Sequence, residues 1–182
     1  IEFVKLIEWA KDIGIEHCIY ISSAHVYGNL NRKINQHSNV NPKSLYSCLH
    51  VFAENYIKSK FIKSTIIRPC SVFGDVSERF NRWELIPFSF PRDLARYNKI
   101  VIKSHGRQVR NFISSITVSK IITNIIKKSI VGIINPVGYH NLSILDFAHL
   151  CIETINERQS TNLGLKVEVL EQSEYINKFN FM

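Results

Sequence analysis

The 182-residue sequence lacks closely spaced cysteines, and this absence excludes several classes of protein. Its four cysteines, Cys18, Cys48, Cys70 and Cys151, form no CxxC pair and have no histidine at metal-ligand spacing. This pattern excludes disulfide-rich domains and zinc fingers. We therefore expect reduced thiols in a cytoplasmic protein without a metal site.

The chain also lacks an apolar run long enough to span a membrane. Its densest apolar stretch, residues 121–134, is interrupted by Lys127 and Lys128. The N-terminal residues are not basic, and no small-residue cleavage pattern follows them, so we expect no signal peptide. Because the chain begins with Ile1 and no N-cap residue precedes the first helical pattern, we expect it to be a fragment of a longer protein.

Acidic residues are fewer than basic ones, 15 against 23, which gives a formal net charge of +8. The lysines and arginines are scattered and form no dense basic block. At 45% hydrophobic residues the chain can bury a sizeable core. The charge suits a small anionic ligand, and we expect neither a nucleic-acid partner nor membrane insertion.

Helix and strand patterns alternate in the first part of the chain. A helix closed by Gly14 precedes a strand at residues 17–22, and a helix at residues 44–60 precedes a strand at residues 64–68. This order predicts parallel strands joined by crossover helices, the doubly wound α/β arrangement.

Two polar segments, SSAHVYG and RPCSVFG, each follow a predicted strand. Ligands of such sheets bind beyond the carboxyl ends of the strands, so we expect both segments at that edge.

The second half of the chain is more mixed. The pattern there predicts an irregular stretch ending in a helix, a strand at 99–103, a brief strand at 111–113, a helix at 117–128 capped by Thr117, a strand and turn at 132–138, a helix capped by Ser143 with Asp146 at its third position, and a strand at 166–170.

The helix SLYSCLHVFAENYI places Tyr46 and His50 four residues apart, so that they share one face. That spacing fits a catalytic pair. It fits equally well a packed helix that happens to carry a histidine, and the helix alone does not separate the two interpretations.

Five segments together resemble the extended short-chain dehydrogenase/reductase family, the NAD-dependent epimerases and dehydratases of nucleotide sugars. In family order they are YISSAHVYG, NPKSLYSCLHVFAENYI, IIRPCSVFG, SHGRQVRNFISSITVSKII and INPVGYHNLSILDFA. The resemblance covers the chain from Ile1 to about Leu170. Each motif alone is weak evidence for the family, whereas five motifs in the family's order are strong evidence.

The resemblance implies an incomplete Rossmann-like, doubly wound parallel sheet with a smaller C-terminal substrate-binding subdomain. Residues 1–76 and 109–138 are expected to form what remains of the dinucleotide-binding domain, and residues 77–108 and 139–182 the subdomain. The family's glycine-rich fingerprint and the acidic residue that holds the ribose are missing, and only 7 of the 182 residues are glycine. The cofactor is therefore expected to be NAD or NADP, without a choice between them.

In this family a tyrosine phenolate removes the hydroxyl proton during hydride transfer, and a lysine four residues later supplies positive charge. Tyr46 matches that tyrosine, and Ser23 matches the hydroxyl that orients the substrate oxygen. His50 stands in the lysine position. An ordinary histidine, with a pKa of about 6.5, is mostly neutral at pH 7, which weakens the charge effect.

The resemblance assigns further residues to ligands. At the cofactor it places Ser22, Tyr46, His50, Pro69 and Ser71, and at the substrate His25, Ser71, Arg82 and Arg110. Arginine suits the diphosphate because its planar guanidinium donates two parallel hydrogen bonds. A surface role for Arg110, and core packing with a solvated charge for Arg82 and Trp83, remain open alternatives.

The segment from Ser77 to Ser114 resembles a branch of the family that can carry histidine in the lysine position. We associate this branch with nucleotide sugars of surface-polysaccharide synthesis. The leading hypothesis is therefore an epimerase, dehydratase or reductase of a nucleotide-diphosphate sugar, acting as a homodimer and inactive as the fragment alone. His50 and Asn111, which replaces a usual aspartate, motivate the alternative of a degenerate relative that binds without turnover. A remnant of a broken gene is a third interpretation.

Overall fold

A computed structural model describes residues 2–28, 30, 33–159 and 163–170. The chain divides into two compact units, the first comprising Ile1–Gly74 and Ile113–Tyr139, and the second Asp75–Phe112 and His140–Met182. Among the described residues, none of the helices combines the length and apolar character that a membrane span requires. The assignment of one part to the cofactor and the other to the substrate stays a prediction.

The elements follow one another in a mixed α/β order. They are α1 (Glu2–Asp12), β1 (His17–Ile21), a 3-10 turn (Ala24–Tyr27), α2 (Leu45–Lys60), β2 (Lys63–Ile67), β3 (Ser71–Phe73), α3 (Ile86–Tyr97), β4 (Lys99–Ile102), β5 (Val109–Ser114), α4 (Ser115–Lys128), β6 (Gly132–Ile134), β7 (Asn141–Ser143), α5 (Ile144–Gln159) and β8 (Lys166–Val169).

The first unit contains a parallel sheet in the order β1–β2–β6. His17 of β1 is in register with Lys63 of β2, and Thr65 of β2 with Gly132 of β6. Helix α2 connects β1 to β2, and α4 precedes β6. This parallel sheet with its connecting helices confirms the predicted α/β class.

Helices α1 and α2 pack on one face of this sheet. Ile7 of α1, Ile57 of α2 and Ile66 of β2 are buried in one cluster with Phe61. Each isoleucine of this kind stabilises the fold by about 1.5–3 kcal/mol on burial. Tyr20 contacts the same cluster, so its side chain lies on the helix-covered face of β1.

Helix α2 begins at a capping box. The Ser44 hydroxyl accepts a hydrogen bond from the Ser47 backbone N–H at 3.2 Å, and the Ser47 hydroxyl accepts one from the Ser44 N–H at 3.0 Å. Lys58 and Lys60 lie in the last turn, where positive charge complements the helix dipole. The predicted start of this helix is confirmed.

The second unit has its own core. Strands β4 and β8 pair in parallel, and β5 pairs with β7 in antiparallel register. The buried cluster lies between α3, α5 and β4 and consists of Phe90, Leu94, Ile100, Ile102, Ile144 and Ala148. The predicted cap of α5 is confirmed, because the Ser143 hydroxyl accepts from the Asp146 N–H at 3.0 Å.

One sequence-based prediction of local structure is wrong, and two short strands were missed. Helix α4 begins at Ser115, and its N-cap is Ser114, whose hydroxyl accepts from the Thr117 N–H at 3.1 Å, so Thr117 is not the cap. Strands β3 and β7 were not predicted. Each has only three residues, which is too short for an alternating apolar pattern to be recognised.

Candidate active site

The two polar segments that follow β1 and β2 lie side by side at the carboxyl end of the sheet, as the strand order predicts. The Ser22 N–H donates to the Ile67 carbonyl at 2.7 Å, and the Ala24 N–H donates to the Pro69 carbonyl at 2.9 Å. These bonds continue the β1–β2 pairing beyond the strands, so the two segments are fixed to each other by backbone.

Ser23 organises the 3-10 turn that leaves β1. Its hydroxyl accepts from the His25 N–H at 3.2 Å and lies 3.0 Å from His25 Nδ1. The turn ends at Gly28, whose φ of 73° favours glycine. A Cβ on Gly28 would lie 2.1 Å from the Asn41 carbonyl oxygen, so the close approach of this backbone requires glycine.

Tyr46 lies in the first turn of α2 and is 54% exposed. Its ring stands nearly perpendicular to the His50 ring, with centroids 4.5 Å apart and an interplanar angle of 78°. The His25 ring lies 6.1 Å from it at 81°. The structure thus brings Tyr46, His50 and His25 together, and Ser23 joins them through its contact with His25.

His50 has a second partner, which the sequence did not reveal. The Tyr20 hydroxyl lies 2.8 Å from His50 Nδ1. Burial lowers the pKa of His50 from its ordinary value of 6.5, and the charge of Glu54 opposes this effect only in part. At pH 7 His50 is therefore a neutral imidazole, and it does not supply the positive charge of the lysine that it replaces.

A buried ion pair between Arg68 and Glu54 supports the residues of the site. Arg68 donates to both carboxylate oxygens of Glu54, from Nε at 2.9 Å and from Nη2 at 2.5 Å. The two residues are 3% and 1% exposed. Burial alone lowers the pKa of Arg68, but the hydrogen bonds to Glu54 and Tyr27 and the charge of Glu54 outweigh it and raise this pKa. Arg68 is therefore fully charged.

The ion pair is tied to the loop that carries Ser23. The Ser22 hydroxyl donates to Glu54 Oε1 at 2.6 Å, and the Arg68 guanidinium lies 4.8 Å from the centroid of the Tyr27 ring. The Tyr27 hydroxyl donates to Asn135 Oδ1 at 3.0 Å. The network thus joins the ends of β1, β2 and β6 to α2. The predicted role of Ser22 in cofactor binding stays a prediction.

Pro69 and Ser71 lie in the second segment. Pro69 is buried, and its carbonyl group accepts a hydrogen bond from the Ala24 N–H. Ser71 is the first residue of β3 and is half-buried. Their predicted contacts with cofactor and substrate stay predictions.

The remaining predicted residues belong to the second unit. Arg110 lies on β5 and is half-buried. Arg82 pairs with Glu84, and both side chains are 60% exposed. Trp83 packs edge-on against Phe80 at 5.1 Å between ring centroids and donates its indole N–H to the Phe80 carbonyl at 3.1 Å. The proposed diphosphate contacts of the two arginines stay predictions.

Of the residues that contribute to this arrangement, the sequence did not single out Tyr20, although a signal was present. Alternation along β1 places Cys18 and Tyr20 on the face that α2 covers, and both contact the α1–α2 core cluster. Tyr20 lies on that face three residues before Ser23. It is therefore within reach of His50, which lies on α2 one turn after Tyr46.

The model of the NAD dependent epimerase/dehydratase family matches residues 3–135. Protein CapI of Staphylococcus aureus is 25% identical over 132 residues, which cover 69% of this chain and 38% of CapI.

Solved structures give the same fold. The NAD-dependent NDP-hexosamine 5,6-dehydratase TunA, of tunicamycin biosynthesis, superposes with a TM-score of 0.75 at 18% identity, covering 93% of this chain and 54% of TunA. The UDP-glucuronic acid 4-epimerase of Bacillus cereus, solved with UDP-glucuronic acid and NAD, superposes with a TM-score of 0.74 at 23% identity, covering 93% of this chain and 53% of the epimerase. The chain thus spans about half the length of these structures, and the likeness confirms the Rossmann-like fold.

Proposed function

Because the chain belongs to the NAD dependent epimerase/dehydratase family, we propose that the full-length gene product is an enzyme acting on a nucleotide-diphosphate sugar. It oxidises or reduces a sugar carbon, as an epimerase, a dehydratase or a reductase. The observation that carries the proposal is the cluster of Tyr46, His50, His25 and Ser23 beyond the carboxyl ends of a parallel sheet.

In the proposed reaction Tyr46 acts as the base. Its exposed side chain, as the phenolate, accepts the proton of the sugar hydroxyl, and the Ser23 hydroxyl orients the same oxygen by a hydrogen bond. Ser23 is suited to this task because its backbone and side chain are fixed by the 3-10 turn that it caps. His25, which contacts Ser23 and faces Tyr46, lies where it can bind a further oxygen of the sugar.

The residues at this edge suit a dinucleotide. A phenol, an imidazole N–H and a serine hydroxyl are donors and acceptors of the kind that ribose hydroxyls need. We assign Tyr46 and His50 to the ribose next to the nicotinamide, and Ser22, Pro69 and Ser71 to its surroundings. NAD or NADP, when bound, supplies the hydride acceptor. NAD is the form that the B. cereus epimerase holds, and we take it as the first cofactor to test.

Diphosphate binding is assigned to the second unit. Arg110 and Arg82 carry the charge that a nucleotide diphosphate needs, and the support for their role is the resemblance of their segments to the family. Surface-polysaccharide synthesis in the cytoplasm is the proposed context. The comparisons give no support to a relative that binds without turnover, because the structures matched are described as a dehydratase and an epimerase.

A homodimer is proposed from the outer faces of two helices. Leu6 and Trp9 on α1 are 57% and 58% exposed, and Ile13, directly after the helix, is 54% exposed, so the three recur at helical spacing. On α2 the exposed apolar side chains are Leu45, Leu49 and Phe52. Exposed apolar faces of this kind mark association surfaces, and a second copy of the chain is the partner that the resemblance implies.

The proposal is tested on the full-length gene product by titration with NAD and NADP, followed by turnover of UDP- and dTDP-sugars. We expect saturable binding of one dinucleotide and conversion of at least one sugar. Absence of dinucleotide binding by correctly folded full-length protein would remove the catalytic proposal.

A further inference from the structure

Tyr20 lies beside the Tyr46 site through its contact with His50, and neither the sequence nor the family resemblance gives it a role. We propose that Tyr20 is a positioning residue: its hydroxyl donates a hydrogen bond to His50 Nδ1 and holds the imidazole as the neutral tautomer that carries its proton on Nε2. The inference rests on the proposed function, since it deepens the role of His50 in that site.

Tyr20 is held on a rigid element. It lies in the middle of β1, in register with Ile66 of β2. Its ring contacts Phe3 of α1 edge-on, with centroids 6.0 Å apart. Strand pairing on one side and helix packing on the other therefore fix the direction of the phenol, and its hydroxyl reaches His50 Nδ1 at 2.8 Å.

The phenol has a proton to donate. Burial raises the pKa of Tyr20, and the nearby charges of Glu54 and Tyr46 raise it further. His50 in turn stays neutral because burial lowers its pKa. The titratable groups that face it are Tyr20 on β1 and Tyr46 and Glu54 on α2. A neutral imidazole has one donor and one acceptor nitrogen, so a hydrogen bond accepted at Nδ1 leaves the proton on Nε2.

This bond determines what His50 contributes to the site. The imidazole packs edge-on against the Tyr46 ring, with the two ring centroids 4.5 Å apart. A fixed imidazole therefore also restricts the Tyr46 ring on one side. The Nε2–H remains as the donor for an oxygen of the ligand. His50 thus acts through a directed N–H, and the cluster binds and orients without a permanent cation.

The tautomer is measured directly by nitrogen-15 NMR of the histidine rings in the full-length protein. The His50 signals are assigned by their loss in His50→Gln. In the wild type we expect an unprotonated Nδ1 and a protonated Nε2 at pH 7.5. Loss of one hydrogen bond in Tyr20→Phe is expected to lower the ratio of this tautomer to the other roughly fivefold. A wild-type imidazole protonated on Nδ1, or a Tyr20→Phe spectrum unchanged at His50, would overturn the proposal.

Tyr56→Phe is the matched control. Tyr56 also packs on the core cluster of the first unit, and its hydroxyl donates to Glu8, away from His50. This variant removes a phenol hydroxyl of the same kind from the same unit. We expect it to leave the His50 ring signals in place, and a shift equal to that of Tyr20→Phe would show a general packing effect and reject the positioning role.

Turnover provides a second readout that a merely structural role would not produce. Tyr20→Phe is expected to lower kcat roughly fivefold in the wild type but to change nothing in a His50→Gln background, because Tyr20 acts through His50. Equal losses in both backgrounds would refute the inference. If the tautomer is found but no nucleotide sugar is turned over, the positioning role stands and the proposed function fails. If a nucleotide sugar is turned over but the tautomer is not fixed, the proposed function stands and the positioning role fails.

Discussion

The replacement His50→Lys tests whether the missing positive charge beside Tyr46 limits the rate. The wild-type imidazole is neutral at pH 7 because burial lowers its pKa. A lysine at the same position is charged, and an opposite charge acts strongly on a neighbouring titratable group at a separation of about 5 Å. At that distance the attraction between the ammonium and a phenolate is about 3 kcal/mol at an effective dielectric constant of ~20, and about 1 kcal/mol in water.

Tyr46 is 54% exposed, so the true stabilisation lies between these limits. A stabilisation of about 1–3 kcal/mol corresponds to a rise in rate of roughly fivefold to 150-fold. Because the phenolate is then favoured at lower pH, the alkaline rise of the pH profile moves toward neutral pH. The assay follows conversion of the nucleotide sugar by chromatography with the full-length protein, because epimerisation and dehydration involve no net oxidation, and it measures kcat/KM between pH 6 and 9.5.

Asn124→Lys is the matched control for charge. Asn124 is exposed on a different helix, α4, and belongs neither to the proposed site nor to the proposed dimer faces. It adds an equal charge to the protein without placing it beside the phenol. We expect the wild-type pH profile from this variant. If His50→Lys leaves both the rate and the pH profile unchanged, the electrostatic account of this site is refuted.

Three further predictions concern the scaffold. Glu54→Gln leaves Arg68 buried without its counter-charge, and we expect the free energy of unfolding in urea to fall by about 3–5 kcal/mol. Gly28→Ala is expected to lower the melting temperature more than Gly14→Ala. Both glycines have positive φ, and only at Gly28 does the new Cβ meet backbone. Leu49→Glu, on the exposed face of α2, is expected to convert the proposed dimer to a monomer in light scattering.

Each of these three has an outcome that contradicts it. A Glu54→Gln loss no larger than the ~1 kcal/mol of a surface ion pair would show that the network is not buried as described. Equal decreases in melting temperature for Gly28→Ala and Gly14→Ala would contradict the close approach of backbone at Gly28. A Leu49→Glu protein that remains dimeric would place the dimer interface elsewhere.

The fold of the first unit was predictable because its signals are local. The Ser44 cap, the helical spacing of Leu45, Leu49 and Phe52 and the β-branched strand at residues 64–68 each indicate an element without tertiary information. The location of the two polar segments at the carboxyl edge of the sheet then followed from the order of the strands alone. By contrast, β3 and β7 owe their pairing to backbone that is distant in sequence, so three-residue strands carry no pattern of their own.

The proximity of the central candidate residues was predictable from the sequence, but the protonation and hydrogen bonding of these residues were not. Spacing and family order singled out Ser23, Tyr46 and His50, and the structure brings them together through His25. The protonation of His50 depends on burial and on Tyr20, 30 residues earlier in the chain, so the sequence could not determine it. The Glu54–Arg68 pair and its bond to Ser22 likewise join residues from three elements.

The most direct test of the account is the turnover of a nucleotide sugar by full-length Tyr46→Phe protein with its dinucleotide affinity measured in parallel. The account predicts a fall in kcat of at least a hundredfold, because the general base is lost, with dinucleotide affinity changed only modestly. Turnover equal to that of the wild type would show that this phenol is not the base and would contradict the proposed active site.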